Sequence, residues 1–296
     1  IGAGTNNVVA ALLVDGNNHL YAAGAFTAAG GIAAGHVAKW DGSAWSALGT
    51  GMNGYGVYAL AIDKSGNLYA GGDFTTVDGN ADRSVAKWNG ASWSSMNVPV
   101  TFGSAVIVAL QVDGSGTVYA GGSFSINSGM GTAKNVMKWG GNSWSQLAPA
   151  IGYVGVNNSV LALALSSDGK LYAGGFFSGA SNLPGFVNHI ASWKTASWSS
   201  LGNALDGTVS AVVADGNGNL YVGGTFTSIG GVPANRIAKW DGSSWSALGD
   251  GMNAAVNTLA LDGSGNLYAG GDFTTADGMT ANYVARWDGT AWSALG

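Results

Sequence analysis

Leu267-Tyr268-Ala269-Gly270-Gly271-Asp272-Phe273 and, ten residues later, Val284-Ala285-Arg286-Trp287-Asp288-Gly289-Thr290-Ala291-Trp292-Ser293-Ala294-Leu295-Gly296 close a chain that repeats the same pattern six times. The motif tyrosine falls at Tyr21, Tyr69, Tyr119, Tyr172, Tyr221 and Tyr268, in steps of 48, 50, 53, 49 and 47 residues. A period of that size belongs to radial or stacked architectures, whose units bury their apolar faces against their neighbours.

The last unit reads as four strands. Val256 to Asp262 is a short apolar and β-branched run that ends in the turn Asp262-Gly263-Ser264-Gly265-Asn266. Leu267 to Phe273 is a second strand, Ala281 to Asp288 a third, and Trp292 marks a fourth after the Asp288-Gly289 turn. Turn residues between such runs make successive strands antiparallel hairpins. Six units that close on one another remove most of the sheet edge a linear stack would leave exposed. The expected fold is all-β: one domain over residues 1–296, a six-bladed β-propeller with four antiparallel strands per blade. The repeats run over 1–49, 50–97, 98–148, 149–202, 203–249 and 250–296. Small residues at Ala11, Ala59, Ala109, Ala162, Ala211 and Thr258 place the first strand innermost, where the strands crowd together.

All twelve tryptophans occupy two positions of the repeat: Trp40, Trp88, Trp139, Trp193, Trp240 and Trp287, then Trp45, Trp93, Trp144, Trp198, Trp245 and Trp292. Fixed recurrence makes them structural core rather than sugar platforms. The glycine pairs, such as Gly71-Gly72 and Gly270-Gly271, predict close backbone approach or a bulge.

Composition narrows the function. The chain is 47% hydrophobic and only 9% charged, with a net charge of -5, and its sixteen acidic residues are all Asp. Eleven scattered Lys and Arg cannot form a phosphate-binding stripe, so nucleic acid is not an expected partner. With no cysteine, disulfides, thiolate chemistry and Cys-ligated metals are excluded. No apolar run approaches the roughly 20 residues of a transmembrane helix. Ile1-Gly2 stands where Leu48-Gly49 and Leu248-Gly249 stand elsewhere, which reads as an excised or processed product.

The Leu-Tyr-Ala-Gly-Gly and Lys-Trp-Asp-Gly-x-x-Trp-Ser-x-Leu segments, as at Lys239-Trp240-Asp241-Gly242 and Trp245-Ser246, resemble the kelch repeat. They are similar in particular to the kelch-like repeats of bacterial secreted proteins and of fungal cell-polarity cortical markers. The resemblance implies a propeller that acts outside the cell or at its surface. Kelch-like oxidases hold copper with Cys, Tyr and His; without Cys that site does not carry over. Trp-Asp pairs also resemble WD repeats, but the Gly-His dipeptide of that family occurs only at Gly35-His36.

Candidate contacts lie on the end formed by the strand 2–3 and strand 4–1 connections. Its loops, Thr27 to Gly35, Thr75 to Arg83, Ser125 to Lys134, Ser178 to Asn188, Thr227 to Ala234 and Thr274 to Asn282, vary in length and content. All four prolines, Pro99, Pro149, Pro184 and Pro233, fall there. Variable loops on a rigid scaffold commonly carry recognition. Seven aromatics outside the repeat positions, Tyr55, Tyr58, Phe102, Tyr153, Phe176, Phe186 and Tyr283, map mostly to this end. Among them Phe102, Tyr153, Phe186 and Tyr283, with the carboxylates Asp73, Asp78, Asp82, Asp272 and Asp277, form the expected ligand-binding set.

Two blades share Asp-Phe-Thr-Thr-x-Asp-Gly, at Asp73 to Gly79 and Asp272 to Gly278. Paired carboxylates suit a hard cation, which makes Asp73, Asp78, Asp272 and Asp277 weak calcium candidates. No other cofactor is expected. Asp215-Gly216-Asn217-Gly218-Asn219 imitates the start of an EF-hand loop but lacks its later residues and reads as a hairpin. His36 and His189 share a repeat position held elsewhere by Ser84, Asn135, Arg236 and Tyr283, too far apart in the blade order for a zinc or copper site.

The expectation is a non-catalytic extracellular or cell-surface interaction or structural module that binds a protein partner or itself. The alternatives are a carbohydrate-binding lectin and an Asp-based hydrolase or lyase.

Overall fold

The computed structural model describes residues 2–99, 105–127, 131–147, 152–180, 188–202 and 205–295, without the side chains of 127, 131–133 and 152–155. The fold is an all-β six-bladed β-propeller with four antiparallel strands per blade. The chain divides into two compact units, Ile1–Tyr153 and Val154–Gly296, of three blades each.

In the first unit, blade 1 comprises Val9–Val14, Leu20–Gly24, Val37–Trp40 and Trp45–Ala47. Blade 2 comprises Val57–Ile62, Leu68–Gly72, Val85–Trp88 and Trp93–Ser95, and blade 3 Val106–Val112, Val118–Asn127, Gly131–Trp139 and Trp144–Ser145. In the second unit, blade 4 comprises Val160–Leu165, Leu171–Gly175, Ile190–Lys194 and Ser197–Ser199. Blade 5 comprises Val209–Ala214, Leu220–Gly224, Ile237–Trp240 and Trp245–Ala247, and blade 6 Val256–Leu261, Leu267–Gly271, Val284–Trp287 and Trp292–Ala294. Within each unit the first strands of successive blades lie side by side.

The second strand explains why the motif is continuous rather than alternating. Leu68-Tyr69-Ala70-Gly71-Gly72 is buried along its whole length, because a blade is covered on both faces. The core consequently lies between blades. Tyr21, Val37 and Leu48 of blade 1 share one cluster with Val57, Leu68 and Phe74 of blade 2, and Tyr221, Ile237 and Leu248 of blade 5 share another with Val256, Leu267 and Phe273 of blade 6.

A bulge interrupts all six first strands where they face the glycine pair or its equivalent: Val57 pairs with Gly72 and Ala59 with Gly71, so Tyr58 is left over. The 1–2 turn is held by one carboxylate. Asp63 Oδ1 accepts from the backbone N–H of Ser65 and of Asn67, both at 2.9 Å, and Gly66 supplies φ 83°. Asp215 makes the same turn, so the EF-hand likeness is a hairpin.

The tryptophans join neighbouring blades. No described indole is fully exposed, and five of the six pairs stand 5.2–5.6 Å apart between ring centroids, tilted by 52–61°. In blades 2, 3, 5 and 6 the second indole donates Nε1–H to the carbonyl that ends the preceding blade: Trp93 to Leu48 at 2.7 Å, Trp144 to Met96 at 2.5 Å, Trp245 to Leu201 at 2.6 Å and Trp292 to Leu248 at 2.8 Å; in blade 4 the Nε1 of Trp198 is buried without a partner.

The sequence reading placed the third strand of blade 6 over Ala281 to Asp288; the strand is Val284–Trp287. Ala281 and Asn282 belong to the loop, because Tyr283 has φ 68° and no residue with that backbone continues a strand.

Candidate functional site

In four blades the loops after the second strands share one backbone, while in blade 3 the second and third strands pair on directly as far as Asn127 and Thr132. In blades 1, 2, 5 and 6 each forms a two-residue hairpin: Ala28–Ala29 with Ile32–Ala33, Thr76–Val77 with Asn80–Ala81, Ser228–Ile229 with Val232–Pro233, and Thr275–Ala276 with Met279–Thr280. Each hairpin bridges to the segment ahead of its own first strand, as Met52 does to Val77. One side chain clamps the arrangement. Asn53 Oδ1 accepts from the N–H of Thr75 and Thr76, both at 2.8 Å, and its Nδ2 donates to Thr75 Oγ1 at 2.9 Å. Asn6, Asn157, Asp206 and Asn253 repeat the clamp. In these four blades the connection is thus a fixed backbone carrying varied side chains, set by one Asn or Asp.

The candidate carboxylates separate. Asp73 Oδ1 accepts from the N–H of Tyr55 at 3.1 Å and Gly56 at 3.0 Å, while its Oδ2 accepts from the Tyr58 hydroxyl at 3.2 Å. Asp78 turns to another segment and accepts from the N–H of Thr50 at 2.6 Å and Gly51 at 3.2 Å. In blade 6 Asp272 accepts from Asn257 Nδ2 at 3.1 Å and Asp277 from the N–H of Asp250 at 2.7 Å. Asp78 and Asp277, at φ 47° and 51°, are positions where Asp tolerates left-handed backbone. Among the described residues no three His, Asp, Glu or Cys side chains gather closely enough to hold a metal ion. The shared motif therefore serves two separate loop contacts.

Asp82 differs from all of these. It is fully buried where the other blades carry Ala34, Ala234 and Ala281, and its Oδ1 accepts from the Arg83 N–H at 2.7 Å, Ser95 Oγ at 2.9 Å and the Asn97 N–H at 3.2 Å. Its Oδ2 has no partner. Burial raises its pKa from 3.8 to about 6 against the pull of those hydrogen bonds. Because the folded state holds the proton more tightly than the unfolded chain, this contribution is complete below pH ~4 and lost as pH rises through ~6. The loss is about 3 kcal/mol. Asp82→Asn should remove that decline and leave the protein more stable than wild type above pH 6. Urea midpoints at pH 4, 5, 6 and 7 measure it; parallel curves for the two proteins would refute it.

Tyr283 stands at a position with left-handed backbone in all six blades: His36, Ser84, Asn135, His189, Arg236 and Tyr283 have φ between 62° and 68°. The strain is held by paired hydrogen bonds, as where the Arg236 N–H donates to the Phe226 carbonyl at 2.8 Å and the Gly224 N–H donates to the Arg236 carbonyl at 2.9 Å. The side chain at that position is free to differ. Tyr283, 59% exposed, joins Tyr55 at 83% and Phe176 at 54% as large aromatic surface on the same end of their blades. Phe102, Phe186, Pro149 and Pro184 lie outside the described residues; Tyr153 lies in the short strand Gly152–Gly155, its side chain not described.

The uniform end carries chemistry that the sequence reading set aside as turns. The motif tyrosine donates its hydroxyl to the turn carboxylate: Tyr69 to Asp63 at 3.0 Å, Tyr119 to Asp113 and Tyr268 to Asp262 at 3.2 Å. Burial, then the neighbouring carboxylate, raises the Tyr119 phenol to about 12. A third-strand lysine lies over the ring, Lys87 on Tyr69 and Lys239 on Tyr221 each at 5.7 Å. In the second unit Asp215, Asn217, Tyr221, Lys239, Asp262 and Ser264 line a 540 Å3 cavity between blades 5 and 6. The six-residue step from Asp to Tyr, kept in five of the six repeats with Ser166 in the other, was the available signal.

Residues 216–239 match the β-propeller domain of unknown function DUF5122. No curated protein matches the sequence. Solved structures of similar fold include the extracellular domain of a hybrid two-component system from B. thetaiotaomicron, 14% identical, with TM-score 0.57 over 100% of this chain and 34% of that one. YCF48 bound to a D1 peptide is 12% identical, with TM-score 0.60 over 99% of this chain and 83% of that one. Virginiamycin B lyase from Staphylococcus aureus is 12% identical, with TM-score 0.57 over 98% and 85%. The chain thus spans about a third of the first of these proteins and most of the other two, and what it shares with them is the propeller fold.

Proposed function

We propose that the chain is a non-catalytic, extracellular or cell-surface interaction module of kelch-like kinship, binding peptide or protein surfaces through the strand 2–3 and 4–1 end of its blades. The observation that carries this is the set of exposed aromatics, Tyr55, Phe176 and Tyr283, on loops whose backbones are otherwise held by hydrogen bonds. Large rigid rings on preorganised loops give contact area at low entropic cost. Two fold relatives support the reading by analogy, one an extracellular domain and one solved with a peptide. The carboxylates of the end are spent on backbone N–H groups, which argues against an Asp-based hydrolase or lyase.

One observation favours a lectin as the second reading. Trp240, Trp245, Ser243 and Ser244 line a 240 Å3 cavity in blade 5, an indole pair flanked by hydroxyls of the kind that stacks and hydrogen-bonds a pyranose.

The test is selection from a displayed peptide library beside a glycan array read with and without calcium. The expected result is peptide ligands whose affinity falls at least tenfold in the variant Tyr55→Ser, Phe176→Ser, Tyr283→Ser. Peptide binding unchanged in that variant, or glycan binding lost on Trp240→Ala instead, would overturn the reading.

A further inference from the structure

The 540 Å3 cavity between blades 5 and 6 has a counterpart one blade earlier. Ser166, Asp168, Lys170 and Tyr172 of blade 4 line a second cavity, of 310 Å3, with Asn217 and Gly218 of blade 5. Both lie within the second unit and are built alike, from the motif tyrosine of one blade and the 1–2 turn of the next. A lysine lies over each tyrosine ring, Lys239 on Tyr221 at 5.7 Å and Lys170 on Tyr172 at 5.8 Å. Volumes of roughly 300–1,000 Å3 are those of small-molecule sites.

The tyrosines of these two cavities differ from the other four. Tyr21, Tyr69, Tyr119 and Tyr268 each donate a hydroxyl to the carboxylate of their own turn. Tyr221 and Tyr172, only 8% and 4% exposed, make no such bond. In blade 4 Ser166 replaces the carboxylate. In blade 5 Asp215 is present, and its Oδ2 accepts only from Asn219 Nδ2, at 2.6 Å, whereas Oδ2 of Asp63 and of Asp262 takes a tyrosine hydroxyl as well. The donor and the acceptor of the missing bond thus belong to two residues that line one cavity. Burial, and then the Asp215 charge, raises the Tyr221 phenol, which keeps its proton as a donor at neutral pH.

We propose that these two clefts bind the ring of a neutral sugar, one hydroxyl of which bridges Tyr221 to Asp215 while another sugar meets Tyr172 in the cleft of blade 4. A single group that accepts from a phenol and donates to a carboxylate is a hydroxyl; a carboxylate ligand supplies no donor and an ammonium no acceptor. Asn217, Ser264 and Lys239 line the same cavity with further donors and acceptors, so several hydroxyls are satisfied together. One lysine stands against Asp215 and Asp262, a balance that disfavours acids. A rigid ring fixes the directions of its hydroxyls and loses little rotamer freedom on binding. The site lies at the uniform end and shares no residue with the Trp240 cavity or the loop-end aromatics, so it does not rest on the peptide reading.

The test titrates the intact chain with free glucose, galactose, mannose and N-acetylglucosamine, read by amide NMR, beside an array that presents the same sugars as glycan ends. At least one sugar should shift the amides of Asn217, Asn219 and Ser264 to saturation. In the double variant Tyr172→Phe, Tyr221→Phe the affinity should fall about tenfold, the worth of one lost hydrogen bond. Neither hydroxyl holds the fold together, so the double variant should keep the wild-type urea midpoint. Tyr69→Phe, whose lost hydroxyl served Asp63, should leave sugar binding unchanged. Binding of the free sugar assigns a monosaccharide ligand and binding of the array alone a glycan end; either supports the proposal when the double variant weakens it. No binding in both arms, binding equal in wild type and the double variant, or acetate or methylammonium shifting the same amides in place of sugar would overturn it. The variant Tyr55→Ser, Phe176→Ser, Tyr283→Ser should bind sugar as wild type does, which separates failure here from failure of the peptide reading.

Discussion

Gly224→Ala should leave blade 5 unable to form, the largest loss of stability expected from a single methyl group in this chain. Its φ is not in the left-handed region, so conformational freedom is not the reason for glycine. The bulge between Val209 and Ala211 folds the backbone of the first strand over Gly224, and an added Cβ would fall inside the Thr208 carbonyl oxygen, closer than any nonbonded contact allows. The second glycine of every blade meets the same obstacle: Gly24 the Val8 carbonyl, Gly72 Gly56, Gly122 Val106, Gly175 Ser159 and Gly271 Ala255. A clashing side chain can rotate; a strand backbone hydrogen-bonded to its neighbour cannot. The cost should therefore exceed the ~1–3 kcal/mol typical of overpacking. Gly216→Ala, in the adjoining turn with nothing within 4 Å of the new Cβ, is the matched control and should shift stability by less than about 0.5 kcal/mol. Equal urea midpoints for the two variants would refute the argument.

That steric rule was legible before any coordinates, because a glycine pair beside an aromatic predicts close backbone approach. Which of the two glycines meets backbone and which meets the next blade was not, since the answer depends on a skipped residue on the opposite strand. The blades themselves could be read from Asp63-Lys64-Ser65-Gly66-Asn67 and its equivalents, where local side-chain hydrogen bonds fix the turn. The loop hairpins could not be read so. The Asn53 clamp reaches across 22 residues to Thr75, and no short-range pattern announces it. The left-handed position was hidden for a different reason: Arg236 and Tyr283 are residue types that argue against positive φ, and the ladder around them overrides their preference. Pairing Asp73 with Asp78 failed because five residues of separation placed their carboxylates on different segments.

Trp292→Ala should cost about 3–5 kcal/mol from lost packing alone. The indole is 2% exposed, lies 5.4 Å from Trp287 and shares a cluster with Leu248 and Met252. It also holds the Leu248 carbonyl through Nε1 at 2.8 Å, so truncation strands an acceptor, with a further penalty of roughly 1–3 kcal/mol. Trp292→Phe separates the two effects, since phenylalanine keeps much of the buried surface and lacks the donor. It should cost about 1–2 kcal/mol, measured by denaturant unfolding with amide exchange resolved by blade. Because stability in a repeat protein is carried by neighbour interfaces, the Ala variant should also let blade 6 exchange its amides before blade 5. If Phe proved as damaging as Ala, the hydrogen bond to the preceding blade, and not the area of the ring, would be what couples neighbours. Trp93, Trp144 and Trp245, which donate to the preceding blade in the same way, would then be as sensitive as Trp292.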